Sequence, residues 1–118
     1  MALVLVAEAD PVVRARIAAA LRREGFAVSE AGRPAEALDR WARERPALVL
    51  LGPGPVAPAL CRRIKAASAS AVIARVGAGD AAGEQRAFEA GADDCAAEPL
   101  SPTVLALRAR PILRRVAS

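Results

Sequence analysis

Leu48-Val49-Leu50-Leu51 is an unbroken apolar run, and Gly52-Pro53-Gly54-Pro55 stops it at once. Without polar alternation such a run reads as a strand buried on both faces. The glycine and proline that follow cannot extend it. A strand of this kind needs packed layers above and below. Leu3–Ala7 (LVLVA) and Ala71–Val76 (AVIARV) have the same character. In an open α/β sheet, ligands bind beyond the carboxyl ends of the strands. Position 52 is therefore the natural address of a functional group, and it holds a residue with no side chain.

The segments between these runs read as helices. Asp10-Pro11 is a helix start, with Asp as N-cap and Pro in the first helical position. Val13, Ile17 and Leu21 then recur every fourth residue as one apolar stripe, and Gly25 closes the helix. Phe26-Ala27-Val28 begins a short strand, and Arg33-Pro34 opens a second helix whose buried face carries Leu38, Trp41 and Ala42. Trp41 at that spacing belongs to the core. A third helix is predicted over Pro58–Ala66, with Leu60 and Ile64 inward. Asp80 caps a fourth helix, which Gly91 ends. Asp93–Ala97 (DDCAA) is a weak fifth strand broken at Glu98-Pro99, and Ser101-Pro102 starts the last helix. Pro111 should kink or end that helix, because it removes a hydrogen bond and clashes with the carbonyl of Leu107. Five strands alternating with helices predict a parallel sheet covered on both faces.

At 118 residues this is one domain, 1–118, with room to bury about two-thirds of its extended-chain surface. The stretch from Arg114 to Ser118 is where a linker to an effector domain could begin, at about residue 115. The net charge is +4, and Lys65 is the single lysine among 17 basic residues. Arginines spread over several helices of an alanine-rich chain speak for genomic base composition, not for a DNA-reading surface. No charged leader precedes Met1–Val6 and no apolar run is long enough to span a bilayer, so a cytoplasmic protein is expected. Cys61 and Cys95 lack metal or redox spacing and are expected to be buried free thiols. The absence of His removes His-based general-base chemistry and most zinc sites.

VAEADP (Val6–Pro11), EGFAVSEA (Glu24–Ala31), PALVLL (Pro46–Leu51), CRRI (Cys61–Ile64), EAGADD (Glu89–Asp94) and EPLSP (Glu98–Pro102) follow one another in order. Together they resemble the receiver domain of bacterial two-component response regulators over nearly the whole chain. The GADD segment and the tail with its paired arginines look most like the receivers that precede winged-helix (OmpR/PhoB-type) DNA-binding domains. The resemblance implies a flavodoxin-like (βα)5 three-layer sandwich with a five-stranded parallel sheet in the order 2-1-3-4-5. It also implies a phosphoryl group accepted from a histidine kinase by an Asp at the end of the third strand. Two acidic residues after the first strand hold Mg²⁺ in such domains. A Thr or Ser ending the fourth strand and a Lys after the fifth contact the phosphoryl group, and an aromatic residue in the fifth strand turns on activation.

This chain departs from that pattern at nearly every functional position. Gly52 stands at the phospho-acceptor, Val76 at the Thr/Ser and Glu98 at the Lys, while Ala9 replaces one metal carboxylate and leaves Glu8 as the other. Cys95 takes the place of the switching aromatic, and the loop after Gly52 is shorter than usual. An aspartyl-phosphate needs a carboxylate nucleophile. Mg²⁺ needs several hard oxygens, which Glu8 alone does not supply, so no metal and no cofactor is expected. An anion at position 98 repels phosphate. Glu8 and Glu98 are expected to approach each other at the sheet's carboxyl edge. A buried unpaired Arg75 is too costly, so it should reach one of them as a salt-bridged plug, unless it snorkels to solvent.

The leading expectation is thus a degenerate pseudo-receiver that is not an enzyme. It would be a phosphorylation-independent interaction module, the regulatory part of a transcription regulator. In the winged-helix subfamily the face of the fourth helix, fifth strand and fifth helix is a dimer interface. Asp93 and Asp94 match its acidic members and Arg108 and Arg110 its basic ones, although Val104 stands where another acid is usual. The partner is then a second copy or another signalling protein, with no nucleic acid bound directly and no membrane. The alternatives are a small-molecule sensor using the vacated pocket, or a scaffold docking a hetero-partner.

Overall fold

The computed structural model describes residues 2–98 and 101–117, apart from the side chains of 115–117. Five strands, β1 (Leu3–Ala7), β2 (Ala27–Ala31), β3 (Leu48–Leu51), β4 (Ala71–Val76) and β5 (Asp94–Ala97), alternate with five helices. The helices are α1 (Pro11–Arg23), α2 (Pro34–Glu44), α3 (Ala57–Ala67), α4 (Ala81–Glu89) and α5 (Pro102–Ala117). The strands form one parallel sheet in the order β2-β1-β3-β4-β5. The order 2-1-3-4-5 implied by the family resemblance is the one observed.

The two-residue period of a strand sorts the core into two halves. Val4, Val6, Leu48, Leu50 and Ile73 point to one face, where α1 and α5 cover them with Ile17, Leu21, Leu105 and Ala109. Leu5, Val49, Leu51 and Val72 point to the other, beneath Trp41 of α2, Leu60 and Ile64 of α3 and Ala87 of α4. All four residues of β3 are at most 2% exposed, each worth about 1.5–3 kcal/mol of transfer free energy. The parallel register sets Ala7 beside Leu51 and Leu51 beside Ala74, so β1, β3 and β4 finish at one edge of the sheet.

The caps follow their local chemistry. Asp10 accepts the backbone N–H groups of Val12 and Val13 at the start of α1, Asp80 accepts that of Gly83, and the Ser101 hydroxyl accepts that of Val104. Gly91 closes α4 with φ +99°, a conformation that costs glycine least. Trp41 is buried, and its indole N–H donates to the Ser68 hydroxyl. Lys65 donates to the Ser70 carbonyl and to Asp93, tying α3 to the start of β4 and to the turn before β5.

Some expectations need correction: Ala42, read as part of the buried face of α2, is exposed, and Ala37 is buried there with Trp41. Of the two outcomes expected at Pro111, a kink or an end, the end does not occur, since α5 runs on through Ala117. Pro111 and Leu107 both lie on its exposed side, where the carbonyl left without a donor meets water instead of the core. Residues 115–117 continue this helix. Cys61 is buried, but Cys95 is only half-buried, because β5 is an edge strand covered on fewer sides. The expected break of β5 at Pro99 lies outside the described residues.

Candidate functional site

The carboxyl ends of β1, β3 and β4 bring Glu8, Gly52 and Arg75 together, with Glu98 closing the group just past β5. Glu8 follows β1 directly, its backbone N–H held by the Ala31 carbonyl at 3.0 Å and its own carbonyl accepting from Arg14 Nη1 at 2.8 Å. This fixes its side chain inward, and the residue is 8% exposed. Gly52 follows β3 and donates its N–H to the Ala7 carbonyl at 2.8 Å. A Cβ on Gly52 would lie 2.7 Å from Glu8 Cδ and overlap Oε2 outright. The carboxylate of Glu8 thus fills the space that a side chain at position 52 would need.

Arg75 enters from β4 and bridges both acids. Its Nη1 lies 3.1 Å from Glu8 Oε2, and its Nη2 donates to Glu98 Oε1. The plug expected from sequence is therefore two-sided, and snorkelling of Arg75 to solvent does not occur. The Arg75 side chain is 11% exposed and that of Glu98 37%, so Glu8 is the deep partner and Glu98 the wet one. The inner atoms, Glu8 Oε2 and Arg75 Nη1, are buried without an aligned hydrogen bond. Their 3.1 Å approach is a coulombic contact whose geometry falls short of a directed bond. Such a pair roughly offsets its own desolvation, while a lone charge in its place would be expensive.

The other positions surround this triad. Val76 is buried at the end of β4 and offers only methyl groups. Ala9 is exposed and Asp10 is occupied as the cap of α1. Among the described residues no group of three or more His, Cys, Asp or Glu side chains could hold a metal ion. A cavity of about 230 Å³ opens beside Gly52, lined by Ala7, Glu8, Arg33, Leu51 and Val56 among others. Burial first, then the carboxylates of Glu84 and Asp94, push the Cys95 thiol up to about 11, and burial also raises that of Cys61.

The residues proposed for an interface fall into two groups. Asp93 accepts from Lys65 Nζ at 2.9 Å and from the Val72 N–H at 2.8 Å. Arg110 turns toward α1, donating to the Glu24 carbonyl and covering the Phe26 ring. Among the described residues Asp94 accepts only from the adjacent Cys95 N–H, and Arg108 makes a 3.4 Å bond to the Cys95 carbonyl, so these two remain available at the β5–α5 edge. Sequence reasoning passed over the apolar part of this region. Phe88 on α4 and Val104 and Leu107 on α5 are 47%, 42% and 50% exposed. The spacing of Val104 and Leu107, three apart beside the buried Leu105 and Ala106, was the available signal.

Comparison with known proteins returns the same architecture. The response regulator receiver domain family matches residues 4–110. The transcriptional regulatory protein CseB of Streptomyces coelicolor is 37% identical over 95% of this chain and 49% of its own length. The transcriptional regulatory protein ResD of Bacillus subtilis is 32% identical over 95% of this chain and 48% of its own. This chain therefore spans about half the length of these relatives. Among solved structures, the BeF3-activated N-terminal receiver domain of Klebsiella pneumoniae RstA superposes with a TM-score of 0.86 at 30% identity, covering 95% of this chain and 98% of that one.

Proposed function

The chain belongs to the response regulator receiver family, and we propose that within it this is a pseudo-receiver, a signalling module that works without phosphorylation. One observation carries the reading: the Glu8 carboxylate lies where a side chain at position 52 would be, and Arg75 pairs with it there. Phosphoryl transfer to a receiver needs a carboxylate nucleophile, and Gly52 has none. Glu8 could not serve instead, since its inner oxygen faces a guanidinium and its position is set by Arg14 and Ala31. Mg²⁺, which the family's chemistry implies, does not fit this donor set: its two carboxylates, Glu8 and Glu98, already face the fixed guanidinium of Arg75. No step is assigned to a metal or cofactor, and no catalysis to the domain.

The test is incubation with acetyl phosphate and Mg²⁺ followed by intact mass measurement and peptide mapping. No phosphoryl adduct is expected. An acid-stable, base-labile adduct on any carboxylate at this edge overturns the reading.

The module would act through its surface. The face made by α4, β5 and α5 presents Phe88, Val104 and Leu107 beside Asp94 and Arg108, an apolar patch with charges of both signs at its rim. Such a pattern suits self-association of a module belonging to a cytoplasmic transcription regulator, joined to an effector domain, a reading supported by relatives about twice as long as this chain. Light scattering over a concentration series should give a dimer for the native chain and a monomer for Arg108→Glu. A native monomer at every concentration would redirect the face to a different signalling protein.

A further inference from the structure

A groove of about 510 Å³ lies between α3 and α4 over the end of β4. It exists because the facing residues are small: Ala57 and Pro58 on one helix and Gly83 and Ala87 on the other cannot close over the sheet. Its volume lies within the range of about 300–1,000 Å³ usual for small-molecule sites. Apolar groups of Ala74, Val76 and Ala87 contribute to its lining, as does Cys61.

The charges around it are unbalanced. Arg62 from α3 and Arg86 from α4 line the groove from opposite sides, and both are exposed. Neither belongs to any ion pair or hydrogen bond among the described residues, whereas Arg14, Arg22, Arg40, Arg43, Arg75 and Arg110 all do. Asp80 is the groove's one acid, and its carboxylate is engaged by the Gly83 N–H at the start of α4. Arg75 adds no free cation, since it is paired with two carboxylates, Glu8 and Glu98, which leave that triad with a net negative charge. Two guanidinium groups thus flank a partly apolar groove with no partner among the described residues. A guanidinium presents planar paired donors suited to carboxylate, sulfonate or phosphate oxygens.

We propose that the α3–α4 groove binds a small organic anion with an apolar body, its acidic group held between Arg62 and Arg86. The inference does not rest on the pseudo-receiver reading and stands or falls separately from it. Exposure of both arginines makes the site salt-sensitive.

The probe is 8-anilinonaphthalene-1-sulfonate, which joins an aromatic body to a sulfonate, added to the ¹⁵N-labelled full chain and followed by amide shifts. Saturable shifts are expected over residues 57–62, 74–76 and 80–87. Affinity should fall at least tenfold in Arg62→Gln/Arg86→Gln and in Ala59→Trp, which fills the groove from an exposed position. It should be unchanged in Arg16→Gln/Arg23→Gln, which removes the same charge from α1. Inorganic phosphate alone should bind far more weakly. The proposal is overturned by absence of saturable shifts, by shifts centred on Gly52 or on the Phe88–Leu107 face, by full affinity in the Arg62/Arg86 variant, or by phosphate binding as tightly as the probe.

Discussion

Arg75→Met removes the cation from the triad while keeping most of the side chain's volume. Glu8 is then left 8% exposed with its inner oxygen facing no counter-charge. Taking one partner from a buried pair costs about 3–5 kcal/mol. The Glu98 contact adds little, because that side chain is 37% exposed and pairs of this kind contribute under about 1 kcal/mol. A domain of this size has about 5–15 kcal/mol in all, so the variant should lose a large fraction of its stability at neutral pH. Glu8→Gln/Arg75→Met removes both buried charges and should recover most of the loss, since replacing a buried pair altogether is often near neutral. Urea unfolding at neutral pH reads both, with Trp41 as the single tryptophan reporter and an unchanged m-value as the check on two-state behaviour. A loss below about 1 kcal/mol for Arg75→Met, or a double variant no more stable than the single one, would refute the claim that the bridge offsets a buried anion.

Gly52→Ala should destabilise by about 1–3 kcal/mol through overpacking, because its methyl group overlaps the Glu8 carboxylate. The same substitution in a Glu8→Ala background should cost much less, and thermal unfolding of the four proteins in this cycle measures the difference. Lys65→Met should lower stability by about 1 kcal/mol, since it takes one donor from both Ser70 and Asp93 while leaving the Val72 bond; equal urea midpoints would argue against that tie. The folded chain holds the Cys95 proton more tightly than the unfolded chain, at about 11 against 9.0. Its contribution is therefore full below pH 9 and is lost as pH rises toward 11. With no tyrosine, one lysine and the likewise raised thiol of Cys61 to share that window, Cys95→Ala should flatten part of the alkaline decline in melting temperature, and Cys61 should account for part of the remainder.

Strands and caps were readable from the chain because their causes are local. The run Leu48–Leu51 and the Asp10-Pro11 start each contain all they need within a few residues. The Arg75 bridge was foreseeable in part, since a charge inside AVIARV must find a partner, but its reach to both Glu8 and Glu98 depends on three strand ends meeting at one edge. Asp93 and Arg110 show the opposite case. Nothing near them in the chain announces the partners that the fold brings across long separations, Lys65 to one and Glu24 to the other. Pro111 reads as a break by propensity, yet on the wet side of α5 the missing bond is tolerated.

The overlap between Glu8 and any side chain at position 52 also bears on how such a domain can change over generations. A lineage that gains a side chain at position 52 first must displace the Glu8 carboxylate. A lineage that shortens Glu8 first leaves Arg75 leaning on the wet Glu98 alone. Each single step lowers fitness through stability before any benefit can appear, so the two positions are expected to vary together and not one at a time. The closely packed edge thus couples what can stand at position 52 to what stands at position 8.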